Sequence, residues 1–345
     1  MVYASIWQRV MTLALSVLAV ATAVAAETDD AKEAGQSSIK KREPTEFIRI
    51  EHDEYKNPVV LQTGTAKYLL KDDAGQVKLE VFLESAVHVG DAAYYRGFNQ
   101  RFHHYDAVLY ELIAAKEKRI PIVEPDQLNV GRLLQQLTGD SLGFVHQIDT
   151  INYQAENFVH SDLSPAKMAE LKEQRGEDEI TWFADLLLDL SRRLNQAADA
   201  GKLKTTPLPK LGIDVLTDPD GAVKLRRLLA GTMDKGSPTA SLHPAQAASL
   251  ILDRNERAMQ VFQEQLEQGK RKIAFFWGAA HMPDLEKRLI LDYGLLPAGV
   301  TWRSAWDLRE GAVSQTPLES ILGNTLRDSV DRALKKLLES RGDGT

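Results

Sequence analysis

Apolar and polar positions divide this chain into a β-rich start, a helical middle and a return to strand and helix. From Phe47 to Glu84 the pattern favours strands, and the turn Lys71-Asp72-Asp73-Ala74-Gly75 between Tyr68-Leu69-Leu70 and the Val77 to Leu83 run predicts a hairpin. A helix is expected from Ala92 to His104, then a buried strand from Ala107 to Ile113 in which Glu111 is the single charge. The region from Gln127 to about Gly201 reads as helical, including Asn129 to Leu137 and the amphipathic Ile180 to Ala198. A polar and aromatic loop from Asn152 to Ser164 interrupts it, ending where Ser164-Pro165 should start a helix. Gly201 to Pro219 reads as a connector or lid. His243-Pro244 opens a long helix stopped by Gly269; a strand from Lys272 to Trp277 and a short helix from Asp284 to Tyr293, closed by Gly294, come next. Thr316-Pro317-Leu318-Glu319 is a capping box for a last helix whose stripe from Ile321 through Leu326 and Val330 to Leu337 should dock on the core.

These elements predict an α/β fold: a mixed sheet core in one domain spanning 47–341, with a helical insertion at about 127–240. Residues 1–26 have the form of a signal peptide, with Arg9 before the apolar run from Val10 and small residues at Ala23-Val24-Ala25-Ala26. Residues 27–46 are polar and unpatterned, as in a flexible lead-in. The expected location is therefore periplasmic or extracellular, with membrane tethering as the outcome if the leader is retained. All 49 acidic residues follow residue 26, and the net charge is −7. With no basic stripe, nucleic acid is not the expected partner. The chain has no cysteine, so thiol nucleophiles, disulfides and zinc–thiolate sites are excluded, and any metal must be held by imidazole and carboxylate.

The candidate chemistry lies in a repeated signature. Ala86-Val87-His88-Val89-Gly90-Asp91 and Ala279-Ala280-His281-Met282-Pro283-Asp284 each follow an apolar run, which predicts two histidines at strand carboxyl ends, where α/β sheets assemble sites. Glu111, amid apolar residues, needs a counter-charge or cation. The order strand, His88, helix, strand, Glu111 is that of a βαβ unit bringing two strand ends side by side. Asp91 and Asp284 are candidates both for helix caps and for orienting the histidines. His160 and Asp162, in the polar loop, are further candidates.

At these residues the chain resembles the TraB/PrgY/GumN family, related to the Tiki metalloproteases and more remotely to ChaN-like and erythromycin-esterase proteins. The resemblance rests on the His88 turn, on Asp106-Ala107-Val108-Leu109-Tyr110-Glu111, on Arg254-Asn255 and on Gly278-Ala279-Ala280-His281, and spans about Leu79 to Gly294. The family carries paired Gly-x-x-His motifs; here the second is complete, whereas the first has Ser85 in the glycine position. The resemblance implies a fold of the erythromycin-esterase/ChaN type. It also implies a site of His88, Glu111, Arg254, Asn255 and His281, with His88, Glu111 and His281 holding manganese, cobalt or zinc, Arg254 stabilising negative charge, and peptide hydrolysis as the reaction. Its alternatives are a metal-independent hydrolase in which a histidine is the general base, and a ChaN-like haem- or metal-binding protein without turnover.

Overall fold

A computed structural model describes residues 45–113, 142–176, 218, 220–233 and 251–314. The expected leader and lead-in, the Asn129–Leu137 and Ile180–Ala198 helices, nearly all of the Gly201–Pro219 connector, the His243-Pro244 helix start and the last amphipathic helix lie outside the described residues. No helix among the described residues is long and apolar enough to cross a membrane.

The strands are β1 (Ile48–His52), β2 (Pro58–Lys71), β3 (Val77–Ala86), β4 (Val89–Gly90), β5 (Ala107–Tyr110), β6 (Val145–His146), β7 (Phe158–His160), β8 (Lys272–Gly278) and β9 (Leu296–Asp307). The helices are α1 (Ala92–Phe102), α2 (Gln147–Thr150), α3 (Pro165–Gln174), α4 (Gly221–Met233), α5 (Asp253–Glu267) and α6 (Met282–Tyr293), with a 3₁₀ turn at Ala279–His281. Seven strands form one mixed sheet in which β9, β2 and β3 pair antiparallel, while β3, β8, β5 and β7 run parallel. The predicted β2–β3 hairpin is present: the Gly75 N–H donates to the Asp72 carbonyl at 2.8 Å, and Gly75 takes φ +79°, which its lack of a side chain permits. β1 and β3 share one edge of β2. The switch falls at Gly64, where a Cβ would press the Glu46 carbonyl at 3.2 Å.

Period-two alternation divides the core. Ile273, Phe275 and Trp277 of β8 join Leu79, Val81 and Leu83 beneath α5 and α6, while Ala274 and Phe276 join Tyr94, Tyr95, Phe98 and Phe102 of α1 on the other face. The result is helices on both faces of the sheet, with its parallel half buried centrally.

Several expectations are corrected. β8 inserts between β3 and β5, so the His88 and Glu111 strands are not neighbours. β5 stops at Tyr110, which puts Glu111 beyond its carboxyl end instead of inside it; the Glu111 N–H still donates to the Phe276 carbonyl at 3.1 Å. The supposed loop from Asn152 to Ser164 contains β7, a strand of the main sheet, so the 127–240 stretch is not purely helical. β9 had no counterpart in the reading, because Pro297 and Gly299 break its alternation. Helix initiation at Ser164-Pro165 holds, the Ser164 hydroxyl accepting from the Lys167 N–H at 3.2 Å.

Candidate active site at the strand ends

The parallel strands β3, β8, β5 and β7 end along one edge, in register at Ala86 with Gly278 and at Tyr110 with Phe276 and His160. His88, Glu111 and Asp162 follow three of these ends, and His281 follows the fourth through the 3₁₀ turn. α5 packs across them and brings Arg254 and Asn255 in its first turn, just after a π turn at residues 251–252. The five residues that the resemblance implies, His88, Glu111, Arg254, Asn255 and His281, therefore meet here. Asp162 joins them.

Arg254 is the hub. Its Nη2 donates to Glu111 Oε1 and to Asp162 Oδ2, both at 2.6 Å, and its Nε donates to Asp162 Oδ1 at 3.0 Å. Its guanidinium lies 5.5 Å from the Trp277 ring centroid. Trp277 also packs edge-on against His281 and is pinned by its indole N–H to the Ser161 hydroxyl. Burial opposes the charge of Arg254, but Glu111 and Asp162 outweigh it, so the guanidinium is held more firmly protonated than usual. Burial likewise opposes ionisation of Glu111; the charge of Arg254 is the largest influence that reverses this and holds the carboxyl well below its ordinary value. Glu111 Oε2 accepts the Gly278 N–H at 2.6 Å.

The tautomer of His281 follows from its neighbours. Asn255 Nδ2 donates to the His281 carbonyl at 3.1 Å and to Asp284 Oδ2 at 2.9 Å, groups that only accept, so Asn255 Oδ1 faces His281 Nδ1 at 2.7 Å as an acceptor. Nδ1 carries the proton, and the lone pair of Nε2 faces Glu111 Oε1 at 3.5 Å and Arg254 Nη1 at 3.4 Å. Burial is the largest influence on the imidazole and lowers its proton affinity, so it is neutral near pH 7. Asp284, itself held by the Arg288 Nε at 2.8 Å, thus orients His281 through Asn255, as the sequence suggested.

His88 is set differently: its side chain is 53% exposed, and its Nε2 stands 4.0 Å from Glu111 Oε1. Its backbone is fixed by the Gln147 N–H on the His88 carbonyl at 2.9 Å and by the β4–β6 pair beside it. Asp91 turns away from the site, accepting from Arg226 Nη1 at 3.1 Å and from the Asp307 N–H at 2.7 Å; its expected role toward His88 is not met. His160 also stays apart, its Nε2 bonded to the Leu112 carbonyl at 2.6 Å. Ser85, in the glycine position of the first motif, binds the Phe47 carbonyl through its hydroxyl at 3.0 Å.

Gly278 forms the floor between the histidines and Glu111. A Cβ there would lie 3.1 Å from Glu111 Oε2, 3.7 Å from His88 Nε2 and 3.8 Å from His281 Cδ2. The room this glycine leaves, the Nε2 lone pair of His281 facing Glu111, and the ionised Glu111 fit a divalent cation in donor type. Among the described residues no three His, Asp or Glu side chains stand close enough together to hold an ion as placed, and Glu111 Oε1 is already engaged by Arg254. No family model matches the chain, no curated protein matches it, and no solved structure matches it.

Proposed function

We propose that this chain is an exported hydrolase of the TraB/PrgY/GumN type, with an erythromycin-esterase/ChaN-like fold, acting on peptide bonds with a divalent metal. The observation that carries the reading is the convergence, from three separate strand ends, of a neutral oriented imidazole, an exposed imidazole and an ionised glutamate around a side-chain-free floor. Such a cluster is costly to bury, and nothing in the packing of the sheet requires it.

His88, Glu111 and His281 would hold manganese, cobalt or zinc, which when bound supplies Lewis acidity toward a carbonyl and toward water. The remaining chemistry belongs to the protein. Arg254 presents positive charge where negative charge develops on the carbonyl oxygen, and Asp162 grips the far side of the guanidinium so that it does not turn away. Asn255 keeps the His281 proton on Nδ1 and its lone pair inward. In this reading His88 gives its lone pair to the ion; without an ion the same exposed imidazole is free to act as a base.

A metal-independent hydrolase is a second reading, favoured by the contacts of Arg254 with the very atoms that would ligate an ion, Glu111 Oε1 at 2.6 Å and His281 Nε2 at 3.4 Å. In it His88 alone is the general base. Hydrolysis of a quenched fluorescent peptide pool by the mature chain separates the two. Activity abolished by a chelator and restored by manganese, cobalt or zinc supports the metallohydrolase; activity indifferent to the chelator supports the second reading; no activity with any of these ions counts against both.

A further inference from the structure

β7 ends the sheet on its parallel side, and among the described residues no strand pairs with its outer edge. Its ladder with β5 shows which main-chain groups face outward. The Val108 N–H donates to the Asn157 carbonyl at 2.7 Å, and the Ser161 N–H donates to the Tyr110 carbonyl at 3.3 Å. In a parallel ladder the N–H and carbonyl of one residue point to the same side and successive residues alternate, so Asn157, Val159 and Ser161 face β5. Phe158 and His160 face away from it. The Phe158 N–H is taken up by the Ala155 carbonyl at 3.0 Å, which leaves the Phe158 carbonyl and both main-chain groups of His160 directed outward.

A groove of about 390 Å³ runs along this edge. Asp106, just before β5, and Tyr110, at its end, both line it, so it follows the strands over their length. The end of α5 contributes Gln265, which is 5% exposed and whose side-chain amide makes no hydrogen bond among the described residues. An amide set so deeply and left without a partner gains one when a polar ligand fills the groove. An extended polypeptide meets all of these groups together, because its main chain offers donors and acceptors in the alternation that a strand edge requires. We infer that this groove is where substrate docks: a stretch of polypeptide adds to the sheet as a further strand beside Phe158 and His160, and Gln265 bonds its main chain from the α5 side.

This inference rests on the hydrolase reading, and the placement of the groove suits that site. Ser161 and Asp162 follow β7 directly, and Asp162 grips Arg254. α5 borders both places, with Arg254 in its first turn and Gln265 near its end. With β5 and β7 between, an added strand would lie three strand spacings from β8, whose Gly278 is the floor of the site. That span is about 14 Å, or about four residues of extended chain. A substrate therefore needs about four residues beyond the cleaved bond to reach the edge and about three more to pair with it.

The test compares kcat and KM for a four-residue and a twelve-residue pool of quenched fluorescent peptides, with wild type, His160→Pro, His160→Ala and Gln265→Leu. His160→Pro removes the outward N–H and no bond to β5. His160→Ala keeps that N–H and loses the imidazole with its bond to the Leu112 carbonyl. Wild type is expected to have a KM lower by about 10- to 100-fold for the longer pool. His160→Pro and Gln265→Leu should each raise that KM by about 5- to 10-fold, with kcat and the four-residue pool unaffected, and His160→Ala should match wild type. Two further twelve-residue pools, methylated on alternate backbone nitrogens in the first or the last four residues, report the contact without altering the protein: one of them should show the same rise with wild type. Equal wild-type KM for the two lengths, or as large a rise in His160→Ala as in His160→Pro, overturns the inference, while the hydrolysis itself leaves the hydrolase reading standing. If wild type cleaves neither pool with manganese, cobalt or zinc or without them, the hydrolase reading fails and this inference with it.

Discussion

The two histidine turns share a sequence signature and lie on adjacent parallel strands, yet the protein treats them oppositely. His281 is buried, its tautomer dictated by a chain from Arg288 through Asp284 and Asn255, and its ring backed by Trp277. His88 has a fixed backbone and an exposed ring with one charged neighbour at 4.0 Å. Similar local sequence thus delivers a rigid imidazole and an adjustable one to the same glutamate. The difference arises from what packs above each turn: the first turn of α5 covers His281, whereas among the described residues His88 is held from its backbone side, by β6 and α2.

The comparison breaks most severely at Arg254, which stabilises the rigid half. Arg254→Met would leave Glu111 and Asp162 buried without a counter-charge, and urea denaturation at pH 7 should reveal a loss of about 3–5 kcal/mol. Next is Asn255→Leu, which removes the acceptor of the His281 proton and leaves Asp284 and the His281 carbonyl short of a donor; stability should fall by about 1–3 kcal/mol, and metal affinity or turnover by about 10- to 100-fold. His88→Ala should do the reverse: stability within about 0.5 kcal/mol of wild type in the same denaturation series, but peptide hydrolysis reduced by about 10²- to 10⁴-fold. Gly278→Ala tests the shared floor, since its methyl group would press Glu111 Oε2 from 3.1 Å. A stability loss of about 1–3 kcal/mol is expected there.

Acid sharpens the contrast with a smaller effect. His281 binds its proton less tightly folded than at its ordinary value of 6.5, so the unfolded chain takes up the proton first. Its contribution is fully present above that value and declines as the pH falls below it. Glu111 adds a second decline at lower pH: its folded value lies well below the ordinary 4.5, so its stabilisation is present above 4.5 and is lost as the pH falls toward the folded value. Stability against urea should therefore fall on acidification from about pH 6.5, and the first part of that fall should be absent from His281→Gln and retained in His88→Gln.

What was legible in the sequence was local. Alternation and turn chemistry located the β2–β3 hairpin, the strands leading to both histidines, the helix after Asp91 and the Gly269 and Gly294 stops. The members of the cluster were legible as residues, but their arrangement was not. β8 lies between β3 and β5 because pairing in a parallel sheet is decided by packing across long sequence separations. Asp91 was lost to Arg226, a buried guanidinium that also binds the Leu142 and Asp307 carbonyls and staples α4 to β9. Asp162 was named only as a loop residue, since its partner Arg254 is 92 positions away.

The most direct test of the account is elemental analysis of residues 27–345 purified without chelator, beside the His88→Ala/His281→Ala double variant. The account predicts close to one manganese, cobalt or zinc ion per wild-type chain and its loss from a double variant that still folds. Wild-type protein that takes up none of these ions even after incubation with them would contradict the metallohydrolase reading.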